Sequence, residues 1–262
     1  MNFLETIIKE KIEFVKQRKK KLSKVKLINK IGLPLAEFKF KSILKKPGLH
    51  LIAEIKRASP SKGELRPGLD VVGVASIYQR QGLELVSILT EEKFFKGSSE
   101  DLARVKQNTG LSILCKDFII DSYQIYEAKF YGANAVLLIA KILSRERLKK
   151  FINIAKNLGM DAVVEIHNKT DLKKALGKGL GVEIIGINHR NLEDFSVDLE
   201  ITENLLSRIP KEKLVIAESG IKSSQEIKYF RELGVNGVLI GESLMLAKDI
   251  AEKLKEFMDA LK

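Results

Sequence analysis

HLIAEIKRASPSKG (His50–Gly63) decides how the rest of the chain is read. It starts as a short apolar run and ends in two charges, Glu54 and Lys56, before a loop of serine, proline and glycine. Residues two apart on a strand share a face, so a carboxylate and an ammonium emerge together at the strand's C-terminal end. Seven more runs follow the same plan: LELVSILT (Leu83–Thr90), LSILCKD (Leu111–Asp117), NAVLLIA (Asn134–Ala140), DAVVEIH (Asp161–His167), EIIGINHR (Glu183–Arg190), KLVIAESG (Lys213–Gly220) and GVLIGES (Gly237–Ser243). They are short, rich in β-branched residues and apolar on both faces, as strands covered on both sides of a parallel sheet must be. Helical periodicity fills the gaps between them. Eight β-then-α units predict an α/β fold, a (β/α)8 TIM barrel with an N-terminal helical extension, whose chemistry gathers at the C-terminal strand ends.

The intervening stretches carry helix signals. Asp70–Gln79 repeats Val71, Val74, Ala75 and Ile77 before Gly82; Ser98, Asp121, Ser144, Asn168 and Ser223 are capping residues at helix starts. The last helix is expected from about Ala247 to Leu261. Residues 1–47 read as the extension, packed on the barrel near its mouth, and 48–262 as the barrel domain. In the extension Phe3, Ile7, Ile8, Ile12 and Val15 approximate one helical face, and Pro34 begins or interrupts a second short segment.

Composition narrows the class. A chain of 262 residues with 45% hydrophobic residues can bury a full core without staples. One cysteine, Cys115, rules out an internal disulfide framework and fits a reducing cytoplasm; inside a strand it should face away from Lys116. No apolar segment is long enough to span a bilayer. The net charge of +12 is concentrated most densely at Lys16–Lys26 on an amphipathic segment, and reads as a solvated face with a general attraction for anionic metabolites. A basic nucleic-acid-binding barrel is the rival from another class, but no zinc-finger spacing, helix-turn-helix signal or interleaved aromatics support it. The partner expected is a phosphorylated small molecule, with neither nucleic acid nor membrane, in the cytoplasm; a monomer is favoured, and the sequence leaves the oligomeric state open.

The chemistry-bearing residues converge if the barrel closes. Glu54 and Lys56 end the first strand, Lys116 the third, Glu165 the fifth, Asn188 and Arg190 the sixth, Glu218 and Ser219 the seventh. Burying so many polar groups at one end of a barrel is costly unless they work. Ser219-Gly220 and Gly241-Glu242 follow the last two strands, where glycine amides and a following helix favour an anion. Glu242, so near a dianion, should turn its side chain away. Ser59 offers a hydroxyl from the first loop, while Phe94, Phe95 and Phe118 are candidates to contact an aromatic ring.

At these residues the chain resembles the indole-3-glycerol-phosphate synthase family. The motifs are Ala53-Glu54-Ile55-Lys56-Arg57 with Ser59-Pro60-Ser61, Ser87-Ile88-Leu89-Thr90-Glu91 with Phe95 and Gly97-Ser98, Leu114-Cys115-Lys116-Asp117-Phe118-Ile119, Leu137-Leu138-Ile139 and Glu165-Ile166-His167. They continue with Gly186-Ile187-Asn188-His189-Arg190-Asn191-Leu192, Ala217-Glu218-Ser219-Gly220-Ile221 and Leu239-Ile240-Gly241-Glu242-Ser243-Leu244-Met245. Cys115 and His189 stand between matched residues. The resemblance implies 1-(2-carboxyphenylamino)-1-deoxyribulose 5-phosphate as substrate, with indole-3-glycerol phosphate, carbon dioxide and water as products. It implies no metal and no organic cofactor. It carries over Glu54, Lys56, Lys116, Glu165, Asn188, Glu218 and Ser219 as catalytic, and Ser59, Phe94, Phe95, Phe118, Arg190, Gly220, Gly241 and Glu242 as substrate-binding residues. Other phosphate-binding barrels, such as isomerases of amino-acid pathways, share the phosphate end but not Glu54-x-Lys56 together with Lys116 and Glu165.

Overall fold

A computed structural model describes residues 3–32 and 38–262; the expectation at Pro34 lies outside the described residues. The eight runs form β1 (His50–Ile55), β2 (Leu85–Leu89), β3 (Ser112–Lys116), β4 (Ala135–Ile139), β5 (Asp161–Ile166), β6 (Ile184–Asn188), β7 (Leu214–Glu218) and β8 (Gly237–Ile240). All pair in parallel with their sequence neighbours, and β8 pairs with β1 to close the barrel. Alternation sorts their side chains. Ile52, Leu85, Leu114, Leu137, Val163, Ile184, Ile216 and Leu239 form an apolar column inside the barrel. Leu51, Val86, Ile113, Val136, Val164, Ile185, Val215 and Val238 face outward into the layer shared with the helices. Cys115 joins that outer layer, on the opposite face from Lys116, and burial pushes its thiol up to about 12.

The helices begin where capping side chains meet otherwise orphaned N–H groups. Asp70 accepts from Val72 N at 3.2 Å to start Val71–Arg80, and Ser144 and Asn168 do the same for Arg145–Asn157 and Lys169–Ala175. Asp121 and Gln124 form a reciprocal capping box at Ser122–Phe130. The last helix starts later than its periodicity suggested, at Ile250–Ala260, because Asp249 caps it through Ala251 N (2.7 Å) and Glu252 N (3.1 Å). A separate short helix, Glu242–Met245, follows β8 directly. The first loop is ordered by a short ladder: Ala58–Ser59 pairs antiparallel with Gly63–Glu64.

The extension covers both ends of the barrel. Helix Lys39–Leu44 closes the N-terminal end with buried Phe40, Ile43 and Leu44, and its Lys41 N–H donates to Asp161 Oδ2 at 2.8 Å. Helix Phe3–Lys21 lies at the other end, but its buried stripe differs from the expected one. Leu4, Ile7, Lys11 and Val15 face inward, while Ile12 is 56% exposed. The reason is an ion pair: Lys11 Nζ sits 2.7 Å from Asp117, the residue after β3. None of the described helices is long and apolar enough to cross a membrane.

Candidate active site

A cavity opens at the C-terminal end of the barrel, and one side of it is a compact charge cluster. Glu54 bridges two cations with separate oxygens, Oε1 at 2.8 Å from Lys56 Nζ and Oε2 at 3.6 Å from Lys116 Nζ. Lys116 Nζ also lies 2.6 Å from Glu218 and 4.0 Å from Glu165. Inward-facing positions on β1, β3, β5 and β7 therefore supply three carboxylates and two ammonium groups within a few ångströms.

Burial and charge oppose each other in this cluster. Burial works against the Lys116 cation, but Glu218, Glu54 and Glu165 outweigh it and hold the ammonium well above the ordinary lysine range. The balance thus falls on the charged side. Burial likewise opposes the Glu54 carboxylate, and Lys56 and Lys116 overcome it, keeping that carboxyl below its usual range. Glu218 goes the other way: burial, with Glu165 and Glu54 adding to it, pushes its carboxyl up to about 7 despite Lys116.

Glu218 differs from its expected place. It lies beneath the cavity rather than in its lining, with no exposed surface and with Oε1 unpartnered among the described residues. Gly186 on neighbouring β6 makes the space, since a Cβ there would overlap Glu218 Oε1. Glu218 touches Lys116, not the cavity. Glu54, Lys56, Ser59, Lys116, Glu165, Asn188, Arg190, Ser219, Gly220, Gly241 and Glu242 do line the cavity.

Glu242 also departs from expectation. Its carboxylate does not turn away but faces the mouth, 3.3 Å from Arg190 Nη2, because the guanidinium offers a counter-charge. Arg190 is further placed by its backbone N–H, which donates to Asn188 Oδ1 at 3.0 Å. The chain after β7 turns through two left-handed residues, Ser219 (φ 71°) and Gly220 (φ 82°). For serine that conformation is strained by roughly 1–3 kcal/mol, and His189 holds it. Its Nδ1 lies 2.8 Å from the Ser219 carbonyl, which can only accept, so Nδ1 carries the hydrogen. Burial keeps this imidazole below its ordinary range, so it is neutral, and Nε2 accepts from Thr202 Oγ1 at 2.7 Å.

The rest of the lining includes an apolar stretch. Phe95, Phe118, Leu137, Ile139 and Leu192 form it, and Phe3 of the first helix completes it. Phe94 stands outside the lining and packs edge-on against Phe3 at 5.1 Å. Glu91 shapes this loop: its carboxylate accepts from the N–H groups of Lys93 (3.1 Å), Phe94 (2.7 Å) and Phe95 (3.0 Å). Phe3, Phe195 and Leu192 escaped the strand-end logic because they come from a distant helix and a long loop. A single aromatic near the start of an amphipathic helix is the only sequence signal for Phe3.

Residues 4–257 match the family model for indole-3-glycerol phosphate synthase. Relatives of that name include the Acetivibrio thermocellus protein, 45% identical over 234 residues, covering 83% of this chain and 89% of the relative. The Trichodesmium erythraeum protein is 47% identical over 251 residues, covering 93% and 84%. The Campylobacter jejuni subsp. doylei protein is 44% identical over 262 residues, covering 97% and 99%. Among solved structures, 3-hexulose-6-phosphate synthase from Salmonella typhimurium aligns with a TM-score of 0.63 at 15% identity, covering 81% of this chain and 98% of that one. KGPDC from Streptococcus mutans aligns with a TM-score of 0.63 at 12% identity, covering 82% and 97%. At such identities these two share the fold alone. A family match over nearly the whole chain, with relatives at 44% to 47% identity, places the chain in the indole-3-glycerol-phosphate synthase family.

Proposed function

We propose that ring closure takes place between the charge cluster and the apolar wall of this mouth, with the residues in the following roles. The family activity is that of a carboxy-lyase of tryptophan biosynthesis. Its substrate presents an aromatic ring, a carboxylate, a ketose chain and a phosphate. The phenylalanine wall suits the ring. Arg190 suits the carboxylate, exchanging its contact with Glu242 for the substrate. Lys56, Ser59, Ser219 and the amides of Gly220 and Gly241 suit the phosphate.

The ring carbon bearing the carboxylate attacks the ketose carbonyl carbon. Lys116 delivers a proton to the carbonyl oxygen as the new carbon–carbon bond forms. Glu165 faces the positive charge that develops on the anilino nitrogen. The carboxylate leaves as carbon dioxide, and its bonding pair restores the aromatic ring. Lys56, paired with Glu54, then assists loss of the hydroxyl as water, and removal of the remaining carbon-bound proton completes the indole. Asn188 orients the sugar hydroxyls. Glu218 acts through Lys116, whose ammonium it fixes. Positioned acid–base groups of this kind contribute roughly 10²–10⁴-fold each. We further propose that the chain works as a cytoplasmic monomer on this small phosphorylated substrate, independently of nucleic acid.

One observation carries the reading: Lys116 Nζ lies within 4.0 Å of three carboxylates drawn from three different strands. The test is a fluorescence assay with the synthetic ribulose phosphate. The chain contains no tryptophan, so indole emission from the product stands clear of the protein. Growth of that emission with release of carbon dioxide is expected. Substrate left intact by folded protein would overturn the assignment.

A further inference from the structure

We propose that His167 is a positioning residue for this reaction, an imidazolium clamp that fixes Glu165 between itself and the cavity. The proposal rests on the placement of Glu165 opposite the anilino nitrogen. His167 follows β5 directly, two residues after Glu165, and its side chain is only 7% exposed. Nε2 lies 3.3 Å from Glu165 Oε1, and Nδ1 lies 3.6 Å from Asp171 Oδ2. Both ring nitrogens are shut off from solvent, and neither makes a hydrogen bond of good geometry with any described residue.

The two neighbours decide the protonation state. A neutral imidazole has one donor and one acceptor nitrogen. Whichever carboxylate faced the acceptor would meet lone pairs with lone pairs in a buried place. Only the doubly protonated ring sets a positive charge and no lone pair against the two carboxylates, 3.3 and 3.6 Å away. Asp171 is itself anchored: its Oδ2 accepts the His167 backbone N–H at 3.1 Å, and its own N–H donates to Asn168 Oδ1 at 2.9 Å. The other charged group acting on the ring is Lys141, which is tied to Glu193 at 2.8 Å; Lys174 acts on Asp171 and donates to the carbonyls of Ala140 and Leu143 at 2.6 and 3.1 Å. Burial works against the His167 cation, but Asp171 and Glu165 outweigh it and raise the ring above the ordinary histidine range.

The clamp answers a need of the cluster. Lys116 is claimed first by Glu218 at 2.6 Å and then by Glu54 at 3.6 Å, and reaches Glu165 Oε2 only at 4.0 Å. His167 is the cation nearest to Glu165, and it takes Oε1. That division leaves Oε2 aimed at Lys116 and the cavity. A free carboxylate would swing toward Lys56 or Lys116, and a small misplacement of a reacting group costs roughly a hundredfold in rate.

Nitrogen NMR of the full-length protein tests the clamp, with the three histidines labelled. One imidazole should remain doubly protonated at pH 7.5, vanish from the spectrum of His167→Gln, and lose its second proton at lower pH in Glu165→Gln. In His167→Gln, kcat should fall roughly ten- to a hundredfold while KM stays nearly constant. A single neutral tautomer for His167 at pH 7.5 overturns the proposal, as does a raised KM at unchanged kcat. The spectrum of the unsubstituted protein decides the matter even if the variant does not fold. Full turnover by Glu165→Gln would instead remove Glu165 from the reaction, while the histidine spectrum would still report its own charge state.

Discussion

The two ends of the barrel are built from the same eight strands and solve opposite problems. At the N-terminal end Phe40, Ile43 and Leu44 close the barrel with apolar side chains. At the C-terminal end the inward positions hold Glu54, Lys56, Lys116, Glu165 and Glu218, of which Glu218 is wholly buried and has an oxygen with no partner among the described residues. Burying ions in this way seldom adds stability over packed apolar groups. The contrast teaches that one end is optimised for holding the fold and the other for holding charge in place, and that substitutions should separate accordingly into losses of stability and losses of rate.

The largest expected effect is on rate. Lys116→Ala should lower kcat roughly 10²–10⁴-fold in the indole fluorescence assay. Its circular dichroism should remain that of the folded protein. Near-normal turnover would remove Lys116 from proton delivery and dissolve the contrast. Phe40→Ala is its mirror image. Emptying that buried site should cost about 3–5 kcal/mol in urea unfolding, with kcat per folded molecule unchanged. A fall in kcat per folded molecule would show that the floor also shapes the mouth.

Lys11→Met sharpens the boundary between the two kinds of residue. Lys11 is 2% exposed and belongs to the extension, yet it neutralises Asp117, the neighbour of Lys116. Asp117 keeps bonds from Thr90 Oγ1 (2.8 Å) and Phe118 N (2.7 Å) in the variant. Breaking a buried pair on one side costs about 3 kcal/mol, so stability should fall together with kcat. Loss of stability at full kcat would make the first helix a cover only.

The Glu218→Gln variant tests whether the charge cluster is held against its own preference. Burial gives Glu218 a folded-state value of about 7, above the value of about 4.3 expected in an unfolded chain. The folded protein therefore binds more protons between those limits, and stability from this group falls as pH rises through them. Removing the charge should raise the melting temperature by a few degrees at pH 8, with the advantage fading toward pH 4. Lys116 retains Glu54 and Glu165 as partners in this variant. A lower melting temperature at pH 8 would mean that the 2.6 Å pair carries net stability.

How far the sequence reaches depends on the range of the forces involved. The strands were legible because two-sided burial writes a continuous apolar run, and the helix starts because Asp70, Ser144 and Asn168 act within three residues of themselves. The strand-end residues were legible once closure was assumed, since alternation alone aims them inward. Depth was not legible: Glu218 and Glu165 end neighbouring kinds of run, but only the space above Gly186 draws Glu218 below the cavity. Contacts between distant segments were not legible either. Nothing near Glu242 announces Arg190, and nothing near Phe3 announces the ring wall it completes.

The smallest expected effect falls at Ile12, where periodicity misled. Ile12 follows Lys11 and so lies about 100° round the helix from it. Hydrophobicity favours Ile12 for the inner face, but Asp117 is fixed at the loop after β3 and captures the ammonium, which turns Ile12 to solvent at 56% exposure. Ile12→Lys should therefore change unfolding free energy by no more than about 0.5 kcal/mol, as exposed positions do. Set beside Lys11→Met, it inverts the usual ranking of a lysine and an isoleucine on one helix. A loss of several kcal/mol at Ile12 would put that side chain in a contact and return the inner stripe to the one hydrophobicity alone predicts.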